Sequence, residues 1–137
     1  MAARNISLLP STTIAGAVAN QTPGPVAQVG DARHLLVETA FAYGAAGTTC
    51  KVWIQTRVKD GTWRDIISHA FTTAAATKWS AIQTGIAVAA AITASDAALT
   101  DDTILDGFIG DELRVKYTTT GTYTGATSLV VRATAKE

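Results

Sequence analysis

The clearest pattern along the chain is a two-residue alternation. In the run CKVWIQTRVK, Cys50, Val52, Ile54, Thr56 and Val58 share one parity, and Lys51, Gln55, Arg57 and Lys59 share the other, with Trp53 the exception. Successive side chains of a strand point to opposite faces, so this run predicts a half-buried β-strand. Asp60-Gly61 then supplies a positive-φ turn, and Trp63 to Phe71 returns as the partner strand of a hairpin. Upstream, Arg33 to Tyr43 reads as another strand, ended by a Gly-Ala-Ala-Gly turn. Downstream, Leu113, Val115 and Tyr117 alternate with Glu112, Arg114 and Lys116. After a Thr/Gly-rich turn region at 118–125, Leu129, Val131 and Ala133 alternate with Val130 and Arg132. None of these stretches carries the 3.6-residue period of an amphipathic helix.

Two regions read less simply. Within 77–111, Lys78 to Ile82 makes a short strand, while Ile86 to Ala94 fits either a strand or an alanine-rich helical turn. Ser95-Asp96 is a suitable helix N-cap for one or two turns over AALTDD. At the other end, Arg4 to Val18 alternates loosely before Pro23, Gly24, Pro25 and Gly30. Proline removes backbone donors and fixes φ, so this part reads as extended, with at most an edge strand before it. It is either a first strand with its loop or an arm reaching a neighbouring subunit. The expected architecture is all-β: an antiparallel two-sheet β-sandwich or jelly roll of about seven or eight strands. Residues 1–30 form an extended N-terminal arm and residues 31–137 the sandwich domain.

Composition narrows the function. Charged residues make up only 16% of the chain, which leaves a surface of small and hydroxylated side chains. Eleven basic residues balance eleven acidic ones, and Arg57, Lys59 and Arg64 are interrupted by Asp60 and Asp65. The basic footprint of a nucleic-acid binder is therefore missing, and no direct nucleic-acid contact is expected. The apolar run Ile6 to Leu9 is shorter than a signal-peptide core, and 86–94 is shorter than a membrane span, so no membrane contact is expected either. Cys50 is the sole cysteine and reads as a small buried hydrophobe.

Three constellations invite chemistry. Asp96, Asp101, Asp102, Asp106, Asp111 and Glu112 crowd into one connection that holds no Lys or Arg. A solvated turn-forming loop, a docking site for a basic partner and a calcium site are all compatible with it, although no EF-hand spacing occurs. Asp65, Ser68 and His69 suggest a triad. Yet Asp65 and His69, placed on one strand face, would stand roughly 13 Å apart, too far to hydrogen-bond. With no G-x-S-x-G elbow and no phosphate loop, no enzyme is expected, and no cofactor or metal. Trp53, on an otherwise polar strand face, fits packing under a loop, a subunit contact or stacking on a sugar ring. That last possibility keeps a carbohydrate-binding β-sandwich as an alternative of a different class.

The hairpin VWIQTRVKDGTWRDIISHAF, with the terminal ELRVKYTTTGTYTGATSLVVRATA, resembles small β-sandwich virion proteins of tailed bacteriophages and gene transfer agents. The matching positions are Gln55, Asp60, Gly61 and Trp63, then Leu113 to Tyr117 and Ser128 to Ala133. The resemblance implies a non-catalytic capsid decoration subunit located in the virion and assembled in the host cytoplasm, with a neck or tail component as the alternative place. Its partners would be the major capsid protein and copies of itself, a trimer being favoured. The candidate contact residues are Ile6, Leu8, Leu9 and Ile14 in the arm, Trp53 on the sheet, and Asp96, Asp101, Asp102 and Asp106 in the acidic connection.

Overall fold

The structure, a computed structural model, describes residues 3–85 and 91–137. Ten strands follow one another: β1 (Ala3–Thr13), β2 (Ala27–Gln28), β3 (His34–Ala42), β4 (Ala45–Ala46), β5 (Thr49–Arg57), β6 (Arg64–Phe71), β7 (Ala76–Gln83), β8 (Glu112–Thr120), β9 (Tyr123–Thr124) and β10 (Ser128–Lys136). No helix occurs among the described residues. The alanine-rich stretch 86–94 lies largely outside them, and 91–94 has no regular structure.

Eight strands build the body as a set of nested antiparallel pairs. The β5–β6 hairpin is innermost, followed outward by β3–β7, β2–β8 and β1–β10. Folding this long ribbon over itself makes two four-stranded sheets, β1-β10-β3-β7 and β2-β8-β5-β6, with β4–β9 a two-stranded ribbon beside them. This is the strand order of a jelly roll, a double-sheet solution to burying one face of each sheet. Residues 3–13, expected as part of an arm, pair along β10, and Leu8 and Leu9 enter the core of the chain's own sandwich.

The period-2 pattern explains which side faces in. Leu35, Val37 and Phe41 of β3 and Leu129, Val131, Ala133 and Ala135 of β10 meet Cys50, Val52, Ile54, Leu113, Val115 and Tyr117 of the opposite sheet. Burial pushes the Cys50 thiol up to about 12, so it stays protonated and inert. Phe41 stacks on Phe71, 5.1 Å between centroids, and meets Tyr123 edge-on at 5.7 Å.

Two local features depart from the sequence reading. The hairpin turn carries its positive φ at Lys59 and Asp60, one residue earlier than Asp60-Gly61, and closes with Gly61 N–H donating to Val58 O at 2.9 Å. Val58 therefore leaves the strand and is 71% exposed. In addition, β5 and β6 slip register between Ile54↔Ile67 and Gln55↔Asp65, which makes Ile66 the extra residue of a bulge. A bulge reverses the facing of everything beyond it.

Gly47 is held at φ +73 with the Tyr123 ring against its Cα, so a Cβ there would sit 2.3 Å from a ring carbon. Gly16 has a similar φ of +80 but open space around it. Gly16→Ala should lose about 1 kcal/mol, the left-handed strain alone. Gly47→Ala should lose clearly more, because the Tyr123 ring must also move. Urea unfolding midpoints of the two variants check the contrast.

Candidate functional site

The two outer faces of the sandwich have different fates. On the second sheet, Trp53, Gln55, Asp65 and Ser68 point away from the core, yet all four are buried. The β7–β8 connection covers them, pairing along the free edge of β6: Asp65 N–H donates to Ser95 O, Ser68 N–H to Thr103 O and Leu105 N–H to Ile66 O.

Asp65 is the point of attachment. Its carboxylate accepts from the backbone N–H groups of Ala97 (2.9 Å), Ala98 (2.9 Å) and Leu99 (3.1 Å), from Ser95 Oγ (3.0 Å) and from Gln55 Nε2 (2.8 Å). A helix starting at Ser95-Asp96 would direct those same N–H groups to its own cap. Here Asp65 takes them, and the expected helix does not form. Gln55 completes the network, donating to Asp96 Oδ1 at 2.7 Å and accepting from Arg114 Nε at 2.9 Å. Trp53 lies beneath, its indole N–H 3.4 Å from Leu99 O. The Arg57 and Arg114 guanidinium groups sit 4.7 Å from the ring centroid of Trp63.

The acidic connection is tied to its own chain. Asp96 meets Lys116 at 2.8 Å, Asp101 meets Lys51 at 3.3 Å, and Asp102 meets Lys78 at 2.8 Å. Asp106 accepts from Gln83 N–H, Asp111 from Lys59 N–H, and Glu112 from Arg57. The hydrogen bond from Lys116 holds the Asp96 carboxyl below its usual range. For Asp102, burial pushes the pKa up, but the hydrogen bonds from Lys78 and the Ala70 N–H outweigh it. Among the described residues no group of three or more His, Cys, Asp or Glu side chains is arranged to hold a metal ion. No helix among them is long and apolar enough to cross a membrane.

The bulge also separates the suspected triad. Asp65 faces the connection, whereas His69 faces the core, so they lie on opposite faces rather than sharing one. His69 bridges the sheets, 2.8 Å from Thr39 Oγ1 and 2.6 Å from Ser80 Oγ. Ser68 Oγ is buried with no hydrogen-bond partner among the described residues. Of the contact candidates in the first strand and after it, Leu8, Leu9 and Ile14 are core residues and Ile6 is half-buried against them.

The first sheet presents the opposite picture. Its outer face is open, and at its centre register aligns Ser7, Arg132, Glu38 and Trp79 in one row across β1, β10, β3 and β7. Trp79 is 65% exposed, and its indole N–H donates to Glu38 Oε2 at 2.8 Å. Glu38 Oε1 accepts from Arg132 at 3.0 Å. The signal for this group in the sequence is indirect: Ile82 faces inward, and strand parity then turns Trp79 outward. A shallow groove of about 410 Å³ runs beside the row, lined by Asn5, Leu36 and Thr134 together with it.

No protein-family model matches the chain, and no curated protein and no solved structure matches it.

Asp65→Ala should lose about 3 kcal/mol or more, since it leaves several donors beneath the connection without an acceptor. Limited proteolysis should then cut within 91–111 before the sandwich opens. His69 supplies a pH test. Burial, the largest influence, together with Lys78 and against the pull of Asp102, depresses its pKa from 6.5 to about 4. Between those values the unfolded chain binds a proton that the folded chain refuses. Stability should therefore be full above pH 6.5 and fall on acidification towards pH 4, by on the order of 3 kcal/mol. His69→Gln should flatten that window in urea titrations.

Proposed function

We propose that this chain is a structural subunit of a tailed-phage-like particle, of the capsid-decoration type, acting by protein–protein contact. The observation that carries this reading is where the charge goes. All six acids of the 96–112 connection are directed to basic side chains or backbone donors of the same chain. What remains outside is a jelly roll with a weakly charged surface, suited to rest against another protein. A triad would require Ser68, His69 and Asp65 on one face; strand alternation sets Ser68 against His69, and the β6 bulge sets Asp65 against His69 as well.

The strand edge at β1 fits subunit contact best. Among the described residues only β10 pairs with this eleven-residue strand, and its outer edge has no strand partner there. Edges of this kind accept a strand from a neighbour through main-chain hydrogen bonds. Pro10 and the register shifts after Ser7 and Leu9 interrupt the distal half, which leaves Ala3 to Ser7 as the continuous part. The resemblance of the Gln55–Trp63 hairpin and the last two long strands to small virion proteins supplies the kind of partner: the major capsid protein and copies of this chain.

Mass measurement of the purified protein, with co-sedimentation on capsids, tests the reading. A trimer that co-sediments with capsids is expected. A hexamer that ignores capsids would move the protein to the neck or tail, and a monomer that binds no particle would overturn the proposal.

A further inference from the structure

We infer that the open face of the β1-β10-β3-β7 sheet carries a binding subsite for a neutral saccharide, with Trp79 as the stacking plate and Glu38, Arg132 and Asn5 as the hydroxyl-recognising groups. The inference goes beyond the particle reading and uses a different surface from the β1 edge.

Three observations converge on it. Trp79 is the most exposed of the large aromatic side chains that face outward, yet it is fixed, because Glu38 receives its indole N–H. A held ring loses little freedom on binding, which favours even a weak ligand. The second observation is unused hydrogen-bonding capacity of both signs along the groove. Arg132 directs one guanidinium N–H donor to Glu38 and has no other hydrogen-bond partner among the described residues, and Glu38 retains lone pairs after two bonds. Asn5 Oδ1 accepts from Thr134 Oγ1 at 3.1 Å, which leaves its amide N–H groups for a ligand. The third is charge: Glu38 and Arg132 neutralise one another, so the site selects neither an anion nor a cation. An apolar plate flanked by donors and acceptors with no net charge matches the C–H face and hydroxyl rim of a pyranose. Two strand spacings separate Trp79 from Arg132, about 10 Å, which leaves room for one or two sugar rings.

A protein partner fits this patch less well. The cores of protein interfaces are depleted of charge and rich in clustered apolar side chains. Here an ion pair sits at the centre, and Leu36 is the one other large exposed apolar residue lining the groove.

The test titrates the 137-residue chain with neutral oligosaccharides of the gluco-, galacto-, manno- and chito- series by calorimetry, in parallel with Trp79→Ala and Glu38→Gln. At least one series should bind at millimolar affinity or better. Trp79→Ala should weaken it about tenfold or more, and Glu38→Gln should weaken it by a smaller factor. Trp79 is exposed, so the thermal transition and oligomer mass of Trp79→Ala should match those of the parent chain. Absence of binding across the panel, or binding that survives Trp79→Ala, would overturn the inference. A change of oligomer mass in Trp79→Ala would overturn it too, by assigning the face to a protein. The particle reading stands or falls separately, on mass and co-sedimentation of the parent chain.

Discussion

A buried carboxylate that receives five hydrogen bonds governs how this jelly roll presents itself. Asp65 sits at no measurable exposure, with three consecutive backbone N–H groups, one hydroxyl and one amide directed at it. Charge-assisted bonds of this kind are stronger than neutral ones, and in a dry site they cannot be exchanged for water. The surface ion pairs further along the connection are worth little singly. They align the segment, while Asp65 attaches it. Because of that attachment the outer face of one sheet is closed, the edge of β6 is covered, and the other sheet is left as the protein's open face.

The same logic extends to the remaining edges. After Gly16 bridges Tyr123 of β9, residues 18–28 run along β8, through the Thr119–Val18 hydrogen bond, the Gln21–Tyr117 bridge and then β2, and cover that side of the second sheet. The first sheet keeps its edges at β1 and β7. One end of β7 is occupied where Asp106 accepts the Gln83 N–H, and the distal half of β1 is broken by Pro10 and its register shifts. Unprotected sheet edges invite aggregation. Among the described residues the short continuous stretch of β1 and residues 76–82 of β7 are the edges of this sheet left without a strand partner.

The two sides of the sandwich consequently divide labour. One is sealed by the chain's own acidic connection. The other displays a tethered tryptophan and a neutral ion pair on an otherwise small-residue sheet.

Much of the fold was legible in the chain. Period-2 alternation located β5, β8 and β10, the Asp60-Gly61 turn signal placed β6 as the return of the hairpin, and the absence of a helical period excluded an α-rich fold. The roles of Gln55, Asp60 and Trp63 were partly visible as a hairpin signature, and their chemistry was not: Gln55 is a hub of the buried network, and Trp63 is clasped by two arginines. Alternation cannot reveal a bulge, because one unpaired residue at Ile66 is decided by the partner strand rather than by local propensity. It cannot reveal which acids will find bases 20 to 55 positions away, so the connection at 96–112 reads as free charge until the sheets are assembled. By itself the sequence determined the long alternating strands β5, β8 and β10 and the inward parity of their side chains up to Thr56, since both follow from neighbours along the chain. Only the tertiary structure decided which sheet face is covered and which is open, because that depends on where a distant carboxylate meets the backbone of the connection.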